Sequence, residues 1–132
     1  MVEEAEAAES KDPAKAIDLY KRAAVVYRIS RFPFICSPLK TRAYELQKAA
    51  YLKAAKLWET PLKDVNIPHK HAAGADGKEI PLYIRIPPTA TPESPCPVVL
   101  LITGLDGHRP DNTMVQTCSR QSYKVVPHLS IG

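Results

Sequence analysis

PVVLLITGLDGHRPDNT, residues 97–113, is the stretch on which the fold turns. Its first part, Val98-Val99-Leu100-Leu101-Ile102-Thr103, is apolar without alternation. Such a run, bounded by turn formers, predicts a strand buried on both faces, as in a parallel sheet covered by helices. The strand runs into Gly104, Leu105, Asp106, Gly107 and His108. Open α/β sheets place binding sites where a strand's carboxyl end meets a loop of this kind, and glycines let backbone N–H groups converge on an oxygen. The loop matches neither the dinucleotide fingerprint nor a P-loop, since no Lys-Ser/Thr follows it. Asp106 and Asp111 are two carboxylates that could serve acid–base chemistry, but they read better as stabilisers of the loop's turns.

Upstream, Val65-Asn66-Ile67-Pro68 alternates apolar and polar and predicts a short strand. Ala75-Asp76-Gly77-Lys78 predicts a tight turn, and residues 79–87 the return strand. Ile80, Leu82, Ile84 and Ile86 fall on one face of it, with Pro81, Tyr83 and Arg85 on the other. Pro81 suggests an edge position. Between the strands, His69-Lys70-His71 has a chelating spacing, but no nearby cluster supplies further ligands, so a loop and no metal site is expected. Residues 87–97 hold five prolines and read as an exposed, rigid connection. A hairpin, a proline-rich connection and a buried strand ending in a glycine loop are, in that order, the start of an α/β-hydrolase. There the loop after the third strand donates one oxyanion-hole amide.

Before residue 61 the chain reads as helix. Asp12-Pro13 is a start signal, and Ile17, Tyr20, Ala24 and Tyr27 share one face of a helix running to about Arg31. Arg28 and Arg31 in its last turn suit the helix dipole, and Pro33 stops it. Ser37-Pro38 starts a second helix with a stripe of Leu39, Ala43, Leu46, Ala50, Ala54 and Leu57, ended by Pro61. Tyr44, Tyr51, Ala55 and Trp58 widen its apolar face. The pair forms an antiparallel helical hairpin that needs another surface to pack against.

With 45% hydrophobic and 24% charged residues over 132 positions, the composition is that of a globular domain and excludes full disorder. Residues 1–12 carry −4, residues 13–72 carry +8 and residues 73–132 balance to zero. The basic residues are scattered along both helices without a run of four, so a solvated face is expected and no nucleic-acid partner. The longest apolar run, residues 98–102, is far below the roughly 20 residues of a membrane span, so no membrane is expected. Cys36, Cys96 and Cys118 are odd in number and widely spaced, which points to reduced thiols in a cytoplasmic compartment.

The stretches KAIDLYKRAAVVYRISRFPFI, QKAAYLKAAKLWE, VNIPH, GKEIPLYIRIP and PVVLLITGLDGHRPDNT together resemble a fungal α/β-hydrolase family. This is the family of pigment-pathway enzymes that shorten aromatic polyketides, related to bacterial hydrolases with a helical N-terminal domain. The resemblance covers residues 13–113, with His108 where tyrosine is more usual. It implies a helical cap followed by a hydrolase core, and a Ser/Asp/His triad that cleaves a carbon–carbon bond hydrolytically beside a ketone. By position it implies that Gly104, Leu105, Asp106 and Gly107 form the oxyanion segment, with the Leu105 N–H the expected donor. It implies an aromatic polyketide or ester as partner and no cofactor, and allows a homodimer.

The expected fold class is therefore α/β, a helical hairpin domain followed by the first strands of an incomplete α/β-hydrolase core. The division is residues 1–12, an acidic segment; 13–61, the cap-type hairpin; 62–113, three strands and the oxyanion loop; and 114–132, a tail that does not match. In that tail His128-Leu129-Ser130-Ile131-Gly132 imitates Gly-x-Ser-x-Gly, but the elbow needs a strand before the serine and a helix after it. Ser119 and Ser122 lack that context too. No catalytic nucleophile, acid or histidine is assigned. The expectation is the N-terminal part of such a hydrolase with an altered terminus, inactive alone and with exposed sheet edges. The alternative is a non-catalytic helical interaction module.

Overall fold

Two side-chain caps set the frame. In a computed structural model describing residues 1–104 and 107–111, Asp12 accepts from the Lys15 amide at 3.0 Å and opens α2 (Pro13–Arg31). Ser37 accepts from the Lys40 amide at 3.3 Å and opens α3 (Pro38–Lys56). Each cap satisfies one of the amides a helix start leaves free, and Pro at the first position has none to satisfy. Replacing Asp12 by Ala is expected to cost about 1 kcal/mol, read as a lower midpoint in urea unfolding followed by helical circular dichroism.

The hairpin closes on alanine. Ala23, Ala24, Ala50, Ala54 and Ala55 are buried where α2 meets α3, and small side chains let the two backbones approach. Tyr20 and Tyr51 fill the space on either side of that contact. Leu39, the first residue of the expected stripe, is instead 83% exposed. It lies in the first turn of α3, beside exposed Ile29, Phe32 and Phe34 at the hairpin's tip.

The acidic segment is itself a helix, α1 (Val2–Ala8), which the sequence reading missed. It lacks a side-chain cap and spans only two turns, so periodicity gives it no signature. Tertiary contact holds it: Ala5 is fully buried with Ala16, Tyr20 and Ala54. Glu4 pairs with Lys15 at 3.0 Å, Glu6 pairs with Lys53, and the Tyr20 hydroxyl donates to Glu9. The acidic start therefore lies on part of the basic hairpin.

After α3 the chain turns through Trp58 and Leu62 into β1 (Lys63–Pro68), paired antiparallel with β2 (Glu79–Ile84). Val65 stands opposite Leu82, and Pro81 opposite Asn66. The intervening loop turns twice rather than once. Ala72 N–H donates to His69 C=O, Asp76 N–H donates to Ala73 C=O, and Gly74 takes the positive φ of 59°. Of the two faces of the return strand, the one that packs on the helices is not that of the isoleucines, since Ile80 and Ile86 are exposed. It is the face of Tyr83, stacked on Tyr51 at 5.8 Å, and of Arg85, 4.9 Å above the Trp58 ring. Flat aromatic and guanidinium surfaces match one another better than a row of branched side chains would.

The expected third strand is not formed. Residues 98–103 pair with neither β1 nor β2, and Val98 and Ile102 are 92% and 82% exposed. An all-apolar strand becomes a strand only beside neighbours that satisfy its backbone and cover both faces, and the described residues offer neither. Residues 87–97 form the expected exposed connection, with Thr91 and Ser94 closing a turn. Among the described residues, no helix is long and apolar enough to cross a membrane.

Candidate active-site loop

The glycine loop begins with a closed turn. The Gly107 N–H donates to Gly104 C=O at 2.9 Å, and Thr103 Oγ1 donates to Gly107 C=O at 3.1 Å. A Cβ at residue 107 would fall 2.8 Å from the Thr103 Cβ, closer than real side chains approach, so the turn requires glycine there. Gly104 meets no such obstacle and is exposed. Leu105 and Asp106, the middle of the expected oxyanion segment, lie outside the described residues.

Each of the four residues after the turn is anchored. The His108 ring leans on Tyr44 at 5.0 Å between centroids. Arg109 donates to Asp64 on β1 at 2.9 Å and lies 4.5 Å above the Tyr83 ring on β2. Pro110 is buried. Asp111 ends a single 3-10 turn (Arg109–Asp111) and enters the groove between α2 and α3.

Asp111 is the hub of a buried polar network. Arg31 Nη2 donates to both of its carboxylate oxygens at 2.6 Å, and Gln47 Nε2 donates to Oδ1 at 2.6 Å. Arg31 Nε in turn donates to Gln47 Oε1 at 2.7 Å. Arg28 adds a looser ion pair at 3.5 Å. The His108 N–H donates to Oδ2 at 3.0 Å, so Asp111 also caps its own turn, as expected of a loop carboxylate. Arg31 and Gln47 are 2% and 1% exposed. A cavity of about 30 Å³ lies beside the network, lined in part by Lys21, Tyr51 and Trp58.

Burial alone would raise the Asp111 carboxyl, but the hydrogen bonds from Arg31, the His108 amide and Gln47 outweigh it and hold it below the usual range. A depressed folded-state value means that the network's stabilisation is present above the ordinary aspartate value and is lost as pH falls through the folded one. The stability gap between wild type and Asp111→Asn is therefore expected to narrow as pH falls below about 4, measured by denaturant unfolding at a series of pH values. On the β-hairpin side, burial pushes the Tyr51 hydroxyl up to about 12 against the opposing charge of Arg85, and pushes Tyr83 up against that of Arg109.

Other sequence candidates sit apart. His69-Lys70-His71 lies in the hairpin loop, where His69 Nδ1 donates to Gly77 C=O at 3.1 Å. No group of three metal-ligating side chains forms among the described residues. Ser30 lies within α2, Ser37 caps α3, Ser10 stands in a turn and Ser94 in a bend, so none of the described serines occupies a strand-to-helix elbow. Ser119, Ser122 and Ser130 lie outside the described residues. Cys36 and Cys96 are free and exposed.

The model of the FrsA-like esterase family matches residues 1–118. The chain belongs to the FrsA-like esterase family. The match takes in the acidic helix α1 as well as the hairpin, the strand pair and the glycine loop. It supports an α/β-hydrolase type of family and a hydrolase resemblance, consistent with the three α-helices and the two-stranded antiparallel sheet among the described residues as part of such a fold. No curated protein matches the chain significantly.

The network residues beside the loop that sequence reasoning missed are Arg31 and Gln47. Their signal was present: Arg31 continues the run Tyr20, Ala24, Tyr27 at a spacing of four, and Gln47 falls between Ala43 and Ala50 on the apolar stripe of α3. Polar side chains at core spacing mark a buried network when a third partner arrives from elsewhere in the chain.

Proposed function

We propose that this FrsA-like chain supplies the helical cap and the oxyanion side of a serine hydrolase that shortens aromatic polyketides in fungal pigment formation. The reaction is hydrolytic carbon–carbon cleavage beside a ketone, in a reducing, cytoplasmic compartment. A serine attacks the carbonyl, a histidine moves the proton, and backbone amides hold the tetrahedral oxyanion. The domain division is the acidic helix, the hairpin to residue 61, the core start to residue 113 and a distinct tail. What carries the reading is the glycine loop, closed by its own turn and tied to both hairpins, within the region matched by the esterase family. By its position in the resemblance Leu105 is the donor we assign, and the Gly107 N–H is already spent on closing the turn.

The described residues offer no elbow serine, and the proposal holds that the 132-residue chain alone does not turn over. Incubation with an aromatic polyketide or a nitrophenyl ester tests this. Turnover abolished by Ser130→Ala would overturn it. The positive arm grafts residues 1–111 in place of the matching region of an active FrsA-like esterase. Activity is retained there on our reading, and Leu105→Pro, which removes the donor N–H, lowers kcat about 10²–10³-fold. Equal kcat with and without that N–H rejects the oxyanion assignment. The exposed cluster of Ile29, Phe32 and Phe34 favours a second reading, an interaction module, for which recovery of one defined partner by residues 13–60 is the test.

A further inference from the structure

We infer that Arg31 and Gln47 of the helical hairpin are positioning residues for the glycine loop, acting through Asp111 on the His108 amide. The inference rests on the esterase reading of that loop, and gives the helical domain a share in building the oxyanion site rather than only covering it.

The connection is continuous. Arg31 Nε holds the Gln47 amide, both hold the Asp111 carboxylate, and the carboxylate holds the His108 N–H at 3.0 Å. His108 directly follows Gly107, whose N–H closes the turn on Gly104. Asp111 is 80 residues from Arg31 and 64 from Gln47 in the chain, so the network joins two distant parts of the fold. The other anchor, Arg109, runs to Asp64 and Tyr83 on the strand pair. The loop is thus set from two sides, and the helical side is the buried one.

The chemistry of the network argues for direction rather than adhesion. Apolar side chains of the same volume would fill this groove without desolvating a guanidinium and a carboxylate. What they would lack is fixed direction. The Gln47 amide is used at both ends, by acceptance from Arg31 and donation to Asp111. Flipping it would place an NH₂ against the guanidinium and an oxygen against the carboxylate, so one arrangement satisfies all members. That arrangement leaves Oδ2 aimed at the His108 amide.

The test follows individual backbone amides of the full chain by nuclear magnetic resonance hydrogen exchange. Gln47→Leu keeps the size and removes both polar ends. The expected result is about a tenfold rise in the exchange rate of the His108 amide, with the amides of Ala23, Ala24 and Ala54 in the hairpin unchanged. Arg31→Lys keeps the charge but not the planar group, and gives a smaller rise at the same amide. An unchanged His108 rate in both variants overturns the inference, and so does an equal rise across the helical amides, which would mark a merely structural network. The readout needs no turnover, so failure of the esterase reading in the grafted enzyme is seen separately from failure here.

Discussion

Asp111→Ala is expected to destabilise the protein by about 3–5 kcal/mol, because it strands a buried guanidinium rather than merely deleting a contact. Arg31 is 2% exposed, and its Nη2 donates to both oxygens of this carboxylate. With Asp111 gone, the guanidinium keeps the neutral Gln47 oxygen and the face of the Tyr44 ring at 5.6 Å, neither of which carries a counter-charge. Asp111→Asn should cost less than Ala, since the amide oxygen can still accept one bond. The comparison to make is the unfolding free energy of wild type and the two variants in urea at neutral pH. A loss below about 1 kcal/mol for Asp111→Ala would mean that the pair behaves as an exposed one. Removing Glu4 or Lys15, the exposed pair that joins α1 to α2, provides that scale, with little or no change in the unfolding midpoint expected.

Trp58→Ala is the second large effect, at about 3–5 kcal/mol. Trp58 stands between the helices and the strands. Its ring meets Tyr51 edge-on at 5.8 Å and carries Arg85 on its face at 4.9 Å. It also packs in the same core cluster as Leu62, at the entry to β1. Truncation opens a cavity against three elements at once, and the strand pair loses its platform. Trp58→Phe gives the contrast, because the indole Nε1 is buried without a hydrogen-bond partner among the described residues. Phenylalanine keeps most of the ring contact and removes that unsatisfied donor, so about 1–2 kcal/mol is expected. Unfolding followed by circular dichroism reads both. A Phe variant as unstable as the Ala variant would show that shape, not ring contact, sets the value of this site.

Helix α2 and the start of α3 were legible because local chemistry sets them, whereas α3 ends at Lys56, short of the expected stop at Pro61. Asp12-Pro13 and Ser37-Pro38 carry their own caps, and Pro33 blocks continuation. The strand pair was legible for a similar reason, though Gly74 rather than Asp76-Gly77 provides the left-handed residue of its loop. Alternation correctly placed Tyr83 and Arg85 on a common face. It could not say that this face packs inward, since that depends on Tyr51 and Trp58 arriving opposite them. Helix α1 escaped detection because seven residues have too little periodicity, and its stability comes from Ala5 seated against Tyr20 and Ala54.

Residues 98–103 show the opposite case, a strong sequence signal without the structure it predicts. The hydrophobicity of Val98, Leu100 and Ile102 is a demand for neighbours, and a strand exists only where that demand is met. For the candidate site, the glycine loop was found by its glycines, while its anchors were not.

By itself, then, the sequence determined what depends on short-range chemistry: where the two long helices begin, that two strands form a hairpin, and that a glycine loop follows residue 103. Only the tertiary structure decided that Arg31, Gln47 and Asp111 are one network. The reason is that each of these side chains is ordinary in its own segment, and a buried charge acquires its meaning from the partner that folding brings to it.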